Sequence, residues 1–250
     1  MFKNLSTILS ILAFILAGWA AYQVKKKPQD QATTFGKDTN AVYIVEEALN
    51  QKPELVLTAF EVYKQRMQLK EMKEMKEQVG KNKAEILDHK GDPIGGNPNG
   101  DVTVVNFFDY RCGYCRQAYG VLHEAVKEDG NAKIIYKEFP IFGGDMIMSK
   151  AALAAHKQGK YEDIHQAFMT STGNLAPSEV REIARQIGLD MDKFEEDIKS
   201  PEIEKEIKEN LELGQKLKIG GTPTFIIGDD VISGLIGIDT FEEKIKKQRS

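Results

Sequence analysis

The stretch VTVVNFFDYRCGYCRQAYG, residues 102–120, decides how this chain folds. Residues 102–108 form a short apolar run, the composition of a strand buried on both faces of a sheet. Ala118, Val121, Leu122, Ala125 and Val126 follow at the spacing of one helix face. AKIIYKEF, residues 132–139, reads as the next strand. Strand, helix and strand within about forty residues predict a βαβ unit, hence a parallel pair with a right-handed crossover.

Between strand and helix lie Cys112 and Cys115, the only cysteines among 250 residues. A helix beginning at Cys112 sets its sulfur among the unpaired N–H groups and the positive dipole end of a helix N-terminus. Such an end favours a negative charge by about 0.3–1 kcal/mol, up to ~2 when partly buried. Cys115, one turn on, is close enough for a disulfide with little rearrangement. The thiolate is the species that attacks disulfides, so Cys112 is the expected nucleophile and Cys115 the resolving thiol. Two packing cysteines are the plainer alternative. A zinc site needs more ligands, and His89, His123, His156 and His165 lie far off in sequence. Two thiolates could hold a cuprous ion, so copper binding stays open.

KIGGTPTFIIGD, residues 218–229, is a second unusual element. Gly220 and Gly221 permit sharp backbone geometry, and Pro223, without an N–H, belongs at the start or edge of a strand. Trans is the ordinary expectation for the Thr222–Pro223 bond.

Further out, composition narrows the class. A chain of this length buries a full core without disulfide staples. Its 41% hydrophobic and 29% charged residues describe an ordinary folded protein. A net charge of −4, with no basic stripe interleaved with aromatics, argues against nucleic-acid binding. Leu5–Val24 runs for about twenty residues without a charge, which predicts a signal peptide or membrane anchor at 1–27. Lys25, Lys26 and Lys27 pull the other way, since such clusters prefer the cytoplasm. The cysteine chemistry suits an oxidising compartment, so the expected location is periplasmic or otherwise extracytoplasmic, with the segment cleaved or retained.

Residues 28–40 are polar and aperiodic, a linker. A helical extension is expected at 41–80. Val56, Phe60, Tyr63 and Met67 recur at 4-3-4 spacing, and Leu69, Met72, Met75 and Val79 continue in a shifted phase. That narrow seam needs a partner, either another subunit or the chain's own globular domain. Turn residues accumulate from Gly80 to Gly100 and mark a domain entry. Residues 145–200 read as successive helices with stops at Gly159, Gly173 and Gly188. Ser200 then caps a helix with Pro201 in its first turn, running to about Lys218. A β-hairpin and a covering helix from about Asp239 close the chain.

FFDYRCGYC, YKEFPIFG, SKAALAAHKQGKYEDIHQAF and GGTPTFIIGD, in that order, resemble the DsbA-type branch of the thioredoxin superfamily over about residues 84–250. The resemblance implies an α/β thioredoxin fold with a helical insertion at about 145–200. It implies Cys112 and Cys115 as a redox pair, Pro223 as a cis-proline facing them, and Thr222 as the residue whose backbone pairs with an extended substrate. His165 takes a structural place in the insertion; His123 and His156 are expected as surface or packing residues. Residues 41–79 are similar to the N-terminal extension of ScsC-like proteins, which implies a homo-oligomer assembled through 41–80. Gly113 and Tyr114 between the cysteines, with Thr222 before the proline, resemble the isomerases ScsC and DsbC rather than the strong oxidases. Tyr114 adds no cation to stabilise a thiolate, consistent with a milder oxidant.

Asn106 departs from the pattern. Six residues before the first cysteine such proteins often carry a buried Asp or Glu that relays the resolving thiol's proton. An amide does not titrate in the working range. Glu138 on the neighbouring strand is a candidate substitute, and slow resolution by Cys115 is expected. The activity implied is thiol–disulfide exchange on unfolded or misoxidised exported proteins, isomerase- or reductase-like, with a redox partner that resets the pair. The alternatives are a dithiol oxidase and a copper-binding or chaperone protein using the same cysteines. No cofactor or resident metal is expected.

Overall fold

The computed structural model describes residues 39–88, 91–144 and 146–250. The segment expected to be a signal or anchor, with all but the end of the expected linker, lies outside them. No helix among the described residues is long and apolar enough to cross a membrane. The chain divides into two compact units between Glu61 and Val62.

The first unit holds α1 (Thr39–Gln51) and the start of α2 (Glu54–Lys81). Pro53 separates the two helices, as its missing N–H requires. Val42, Tyr43, Ile44 and Val45 of α1, with Leu55, Val56 and Leu57 of α2, are between 42% and 68% exposed.

The second unit starts at Val62, upstream of the boundary expected near residue 84. The end of α2 belongs to it because Met75 and Val79 pack into a core with Ile86 of α3 (Lys83–Leu87). Ion pairs Lys76–Asp230 (2.9 Å) and Lys216–Glu85 (2.6 Å) fix the same region.

Five strands form one sheet in the order β1 (Ile94–Gly96), β3 (Ala132–Glu138), β2 (Val102–Phe108), β4 (Thr224–Ile227), β5 (Asp230–Ser233). β2 and β3 are parallel, joined through α4 (Gly113–Asp129) as the βαβ reading requires. β4 runs antiparallel to both β2 and β5. β1, antiparallel to β3, escapes a sequence reading because Ile-Gly-Gly carries no alternation.

Both faces of β2 are covered. Val102, Val104 and Phe108 join a core with Leu122 of α4 and Phe241 of α10 (Ile238–Lys247). Val105 and Phe107 face Val79, Leu217 and Leu213 of α9 (Pro201–Lys216). Hence the run 102–108 shows no hydrophobic alternation. The helical insertion is α5 (Ile147–Lys157), α6 (Tyr161–Thr170), α7 (Pro177–Gln186) and α8 (Met191–Asp197). Ser200 caps α9 as expected, its Oγ accepting from Ile203 N at 3.3 Å. Together these elements make the expected thioredoxin fold, with its insertion between β3 and β4.

Candidate active site

At the end of β2 the chain turns sharply, and Asp109 holds the turn. Its carboxylate accepts from Arg111 N (2.8 Å) and from Phe142 N (3.1 Å), tying the cysteine loop to the loop after β3. Asp109 O accepts from Cys112 N at 3.0 Å. Cys112 is therefore the N-cap of α4, which begins one residue after the expected start, and its sulfur still lies at the helix N-terminus. Its thiol donates to Thr222 O at 3.2 Å. The Thr222–Pro223 bond is cis, against the ordinary preference and in line with the resemblance. So β2 and the loop before β4 bring Cys112, Cys115, Thr222 and Pro223 together.

Both cysteines are free thiols and buried, 4% and 3% exposed, whereas Tyr114 between them is 63% exposed. Burial pushes the Cys115 thiol well up; the Asp109 backbone and the Thr222 hydroxyl oppose that push without reversing it. Near neutral pH the Cys115 thiol therefore keeps its proton unless another group takes it.

Beneath Cys115 lies a small cavity of about 10 Å³, lined by Asn106, Cys115, Tyr119, His123, His165 and Pro223 among others. Strand register sets Asn106 beside Tyr136 of β3 and Phe225 of β4, on the face under α4. Asn106 is 6% exposed, and its Oδ1 has no hydrogen-bond partner among the described residues.

Two His–Tyr–Glu chains lead away from this cavity. In one, His165 Nδ1 lies 2.8 Å from Tyr110 Oη, which donates to Glu138 Oε1 at 3.1 Å. Tyr161 donates to the same oxygen at 3.0 Å. In the other, His123 Nε2 lies 2.9 Å from Tyr136 Oη, which donates to Glu162 Oε1 at 3.0 Å. Burial drives Glu138 up to about 8, with the hydroxyls of Ser149, Tyr161 and Tyr110 holding it back. Burial also lowers both imidazoles, His123 to about 4 and His165 well below its ordinary value. The rings are therefore neutral near pH 7.

One expectation changes here. Glu138, the candidate substitute for the missing carboxylate, does not line the cavity; it is one tyrosine and one histidine removed from it. His123, expected as a surface or packing residue, lines the cavity under Cys115. A signal for it existed: Cys115, Tyr119 and His123 fall at i, i+4 and i+8 of one helix, hence on one face. His156, half-buried, lies outside the cavity. Among the described residues no group of three or more His, Cys, Asp or Glu side chains is placed to hold a metal ion.

Comparison with known proteins agrees with this geometry. A family model described as thioredoxin matches residues 88–247. The chain is similar to a thioredoxin-like oxidoreductase from Silicibacter pomeroyi DSS-3, with 38% identity, TM-score 0.64, and coverage of 67% of this chain and 98% of that one. It is also similar to the thiol-disulfide exchange protein alpha-DsbA2 from Wolbachia pipientis, at 31% identity and TM-score 0.65, covering 70% and 95% of the two chains. BcfH of Salmonella enterica Typhimurium superposes with TM-score 0.74 at 25% identity, over 89% of this chain and all (100%) of that one. Among curated relatives, the Na(+)/H(+) antiporter NhaA 1 of Salinispora arenicola is 27% identical over 144 residues, 56% of this chain but 22% of the antiporter. The chain thus spans a small part of the first curated relatives it matches. Strand, cysteine loop, cis-proline and family match converge: this chain belongs to the thioredoxin family, among its DsbA-like thiol–disulfide exchange proteins.

Proposed function

We propose that this chain catalyses thiol–disulfide exchange on exported proteins through Cys112 and Cys115, working as an isomerase or reductase rather than as a forceful oxidase. The observation that carries the reading is the Cys112 thiol at a helix N-terminus, 3.2 Å from the carbonyl of Thr222 beside a cis-proline. In the reducing direction the Cys112 thiolate attacks a client disulfide and one client sulfur leaves as thiolate. Cys115 then attacks the Cys112 sulfur, the second client thiolate leaves, and Cys112–Cys115 becomes the disulfide. Thr222 offers its backbone to an extended client segment, while exposed Tyr114 (63%) of the cysteine loop and Phe142 (57%) of the loop tied to it through Asp109 offer apolar contact. Gly113 and Tyr114 add no cation, which supports a mild oxidant.

The exposed apolar side chains of α1 and α2 support a homo-oligomer through residues 41–80, in which several redox sites surround one client. Residues 5–24 would export the chain or anchor it at a membrane, in a periplasmic or other extracytoplasmic compartment where a redox partner resets the pair. Refolding of scrambled ribonuclease tests isomerisation, and oxidation of a reduced dithiol peptide tests the oxidase. Cys112→Ser should reduce both to background; full activity of that variant in both assays would overturn the redox reading. Tight cuprous binding without any thiol exchange would replace it with a metal-handling one.

A further inference from the structure

We propose that His123 is the proton port of the resolving cysteine: a single water in the cavity beneath Cys115, held by the Asn106 amide oxygen, hands the Cys115 proton to His123, which passes it through Tyr136 to Glu162. The proposal rests on the reading of Cys112 and Cys115 as a redox pair.

A cavity of about 10 Å³ has room for one water, which needs two to four polar partners. Its lining supplies them: the Cys115 thiol to donate, the unpartnered Asn106 Oδ1 to accept, and the imidazoles of His123 and His165 beside Tyr119. Tyr136 donates its proton to Glu162, so it accepts from His123 Nε2–H, and Nδ1 of that ring is left as an acceptor. His123 also lines an open groove of about 570 Å³ with Gly96, Glu124 and Lys127. It is thus shared between the enclosed cavity and the surface. The other chain ends inside the core, because His165 is 1% and Glu138 0% exposed, so it can hold a proton but not release it to solvent. Gly95 makes room for the exit: a Cβ there would come within 2.4 Å of Glu162 Oε1 and 2.6 Å of Tyr136 Oη.

The proton balance closes. Cys115 S–H gives its proton to the water, which releases one to Nδ1 while Nε2–H moves to Tyr136 and the tyrosine proton moves to Glu162. The Cys115 thiolate attacks the Cys112 sulfur of the mixed disulfide, and the client sulfur leaves as a thiolate that takes a proton from solvent. Groups facing His123 are Cys115, Tyr119, Glu124 and Lys127 of α4, Tyr136 of β3 with Glu162 of α6 behind it, and His165 of α6. His123 touches no client sulfur and acts through the water, as a positioning and relay residue.

The test follows the two half-reactions separately in the full chain, by acid-quenched single-turnover mass spectrometry with oxidised glutathione as the disulfide. His123→Ala should leave formation of the Cys112–glutathione adduct within about twofold and slow its resolution by on the order of tenfold at pH 6–7, below the ~10²–10⁴-fold span of a fully productive acid–base group. The deficit should shrink toward pH 9, where hydroxide takes the proton, and added imidazole should restore the rate. Tyr136→Phe, which keeps the ring and removes the hydroxyl, should slow the same step by a smaller factor. Resolution within twofold of wild type in both variants overturns the relay, as does a slowing that neither pH nor imidazole relieves. Absence of any adduct on Cys112 in the wild-type chain overturns the redox reading and the relay with it.

Discussion

Leu122 and Leu57 are both leucines of helices, yet Leu122 is 1% exposed and Leu57 is 68% exposed. α4 lies on the sheet that its own flanking strands build, so its stripe is covered as soon as the βαβ unit forms. The helices before Val62 leave their apolar side chains in solvent. Helical periodicity therefore says which face wants covering and nothing about what covers it. The residues of the proposed exchange chemistry all lie in the second unit, while the proposed assembly draws on the first.

The largest expected effect tests that contrast on two leucines. Leu122→Ala should cost about 2–5 kcal/mol in denaturant unfolding, because it opens a cavity in a packed core. Leu57→Ala should stay within about 0.5 kcal/mol for the redox unit, as an exposed substitution does. Equal costs would mean that the α2 face is buried in the chain's own core. Next, Val45→Asp with Leu57→Asp should convert an oligomer to monomer in light scattering. Scrambled-ribonuclease refolding per site should then fall by about tenfold while oxidation of a small dithiol peptide changes less than about twofold, the signature of lost multivalency. A wild-type chain that is already monomeric would remove the assembly from the reading.

Within the redox unit, Asn106→Asp should speed resolution by Cys115 on the order of fivefold, less than the ~10²–10⁴-fold of a fully productive base, because a water route already exists. A rate unchanged from pH 6 to 8 would show that the asparagine does not slow the step. The last prediction concerns Glu138. Its folded-state value of about 8 stands above an unfolded glutamate near ~4.3, so the folded state prefers the neutral acid. Its contribution to stability is fully present below pH ~4.3 and is lost as pH rises to about 8. Glu138→Gln, neutral throughout, should flatten that fall, so that its Tm changes less between pH 5 and 8 than that of the wild-type chain. An identical pH profile would place the Glu138 proton elsewhere.

Much of this was legible in order along the chain. The buried run 102–108, the cysteines at a strand-to-helix junction, the Ser200 cap and the glycine stops of the insertion all depend on neighbours a few residues away. β1 was not legible, because two glycines in three residues leave no pattern. Nor was the partner of Met75 and Val79, whose seam asked for covering without showing that the second face of the sheet supplies it. His123 was half legible: its helix face was readable, but not the strand beneath it.

The sequence alone determined the α/β order, the place of Cys112 at a helix start, and the amide at position 106 where a carboxylate would titrate. Those features are set by backbone geometry and side-chain chemistry over short spans. Only the tertiary structure decided that Asn106 of β2, Cys115 and His123 of α4, and His165 of the insertion meet around one cavity. Their meeting depends on strand register and on how the insertion packs back across the sheet. Such contacts join residues up to sixty positions apart, and no local pattern carries them.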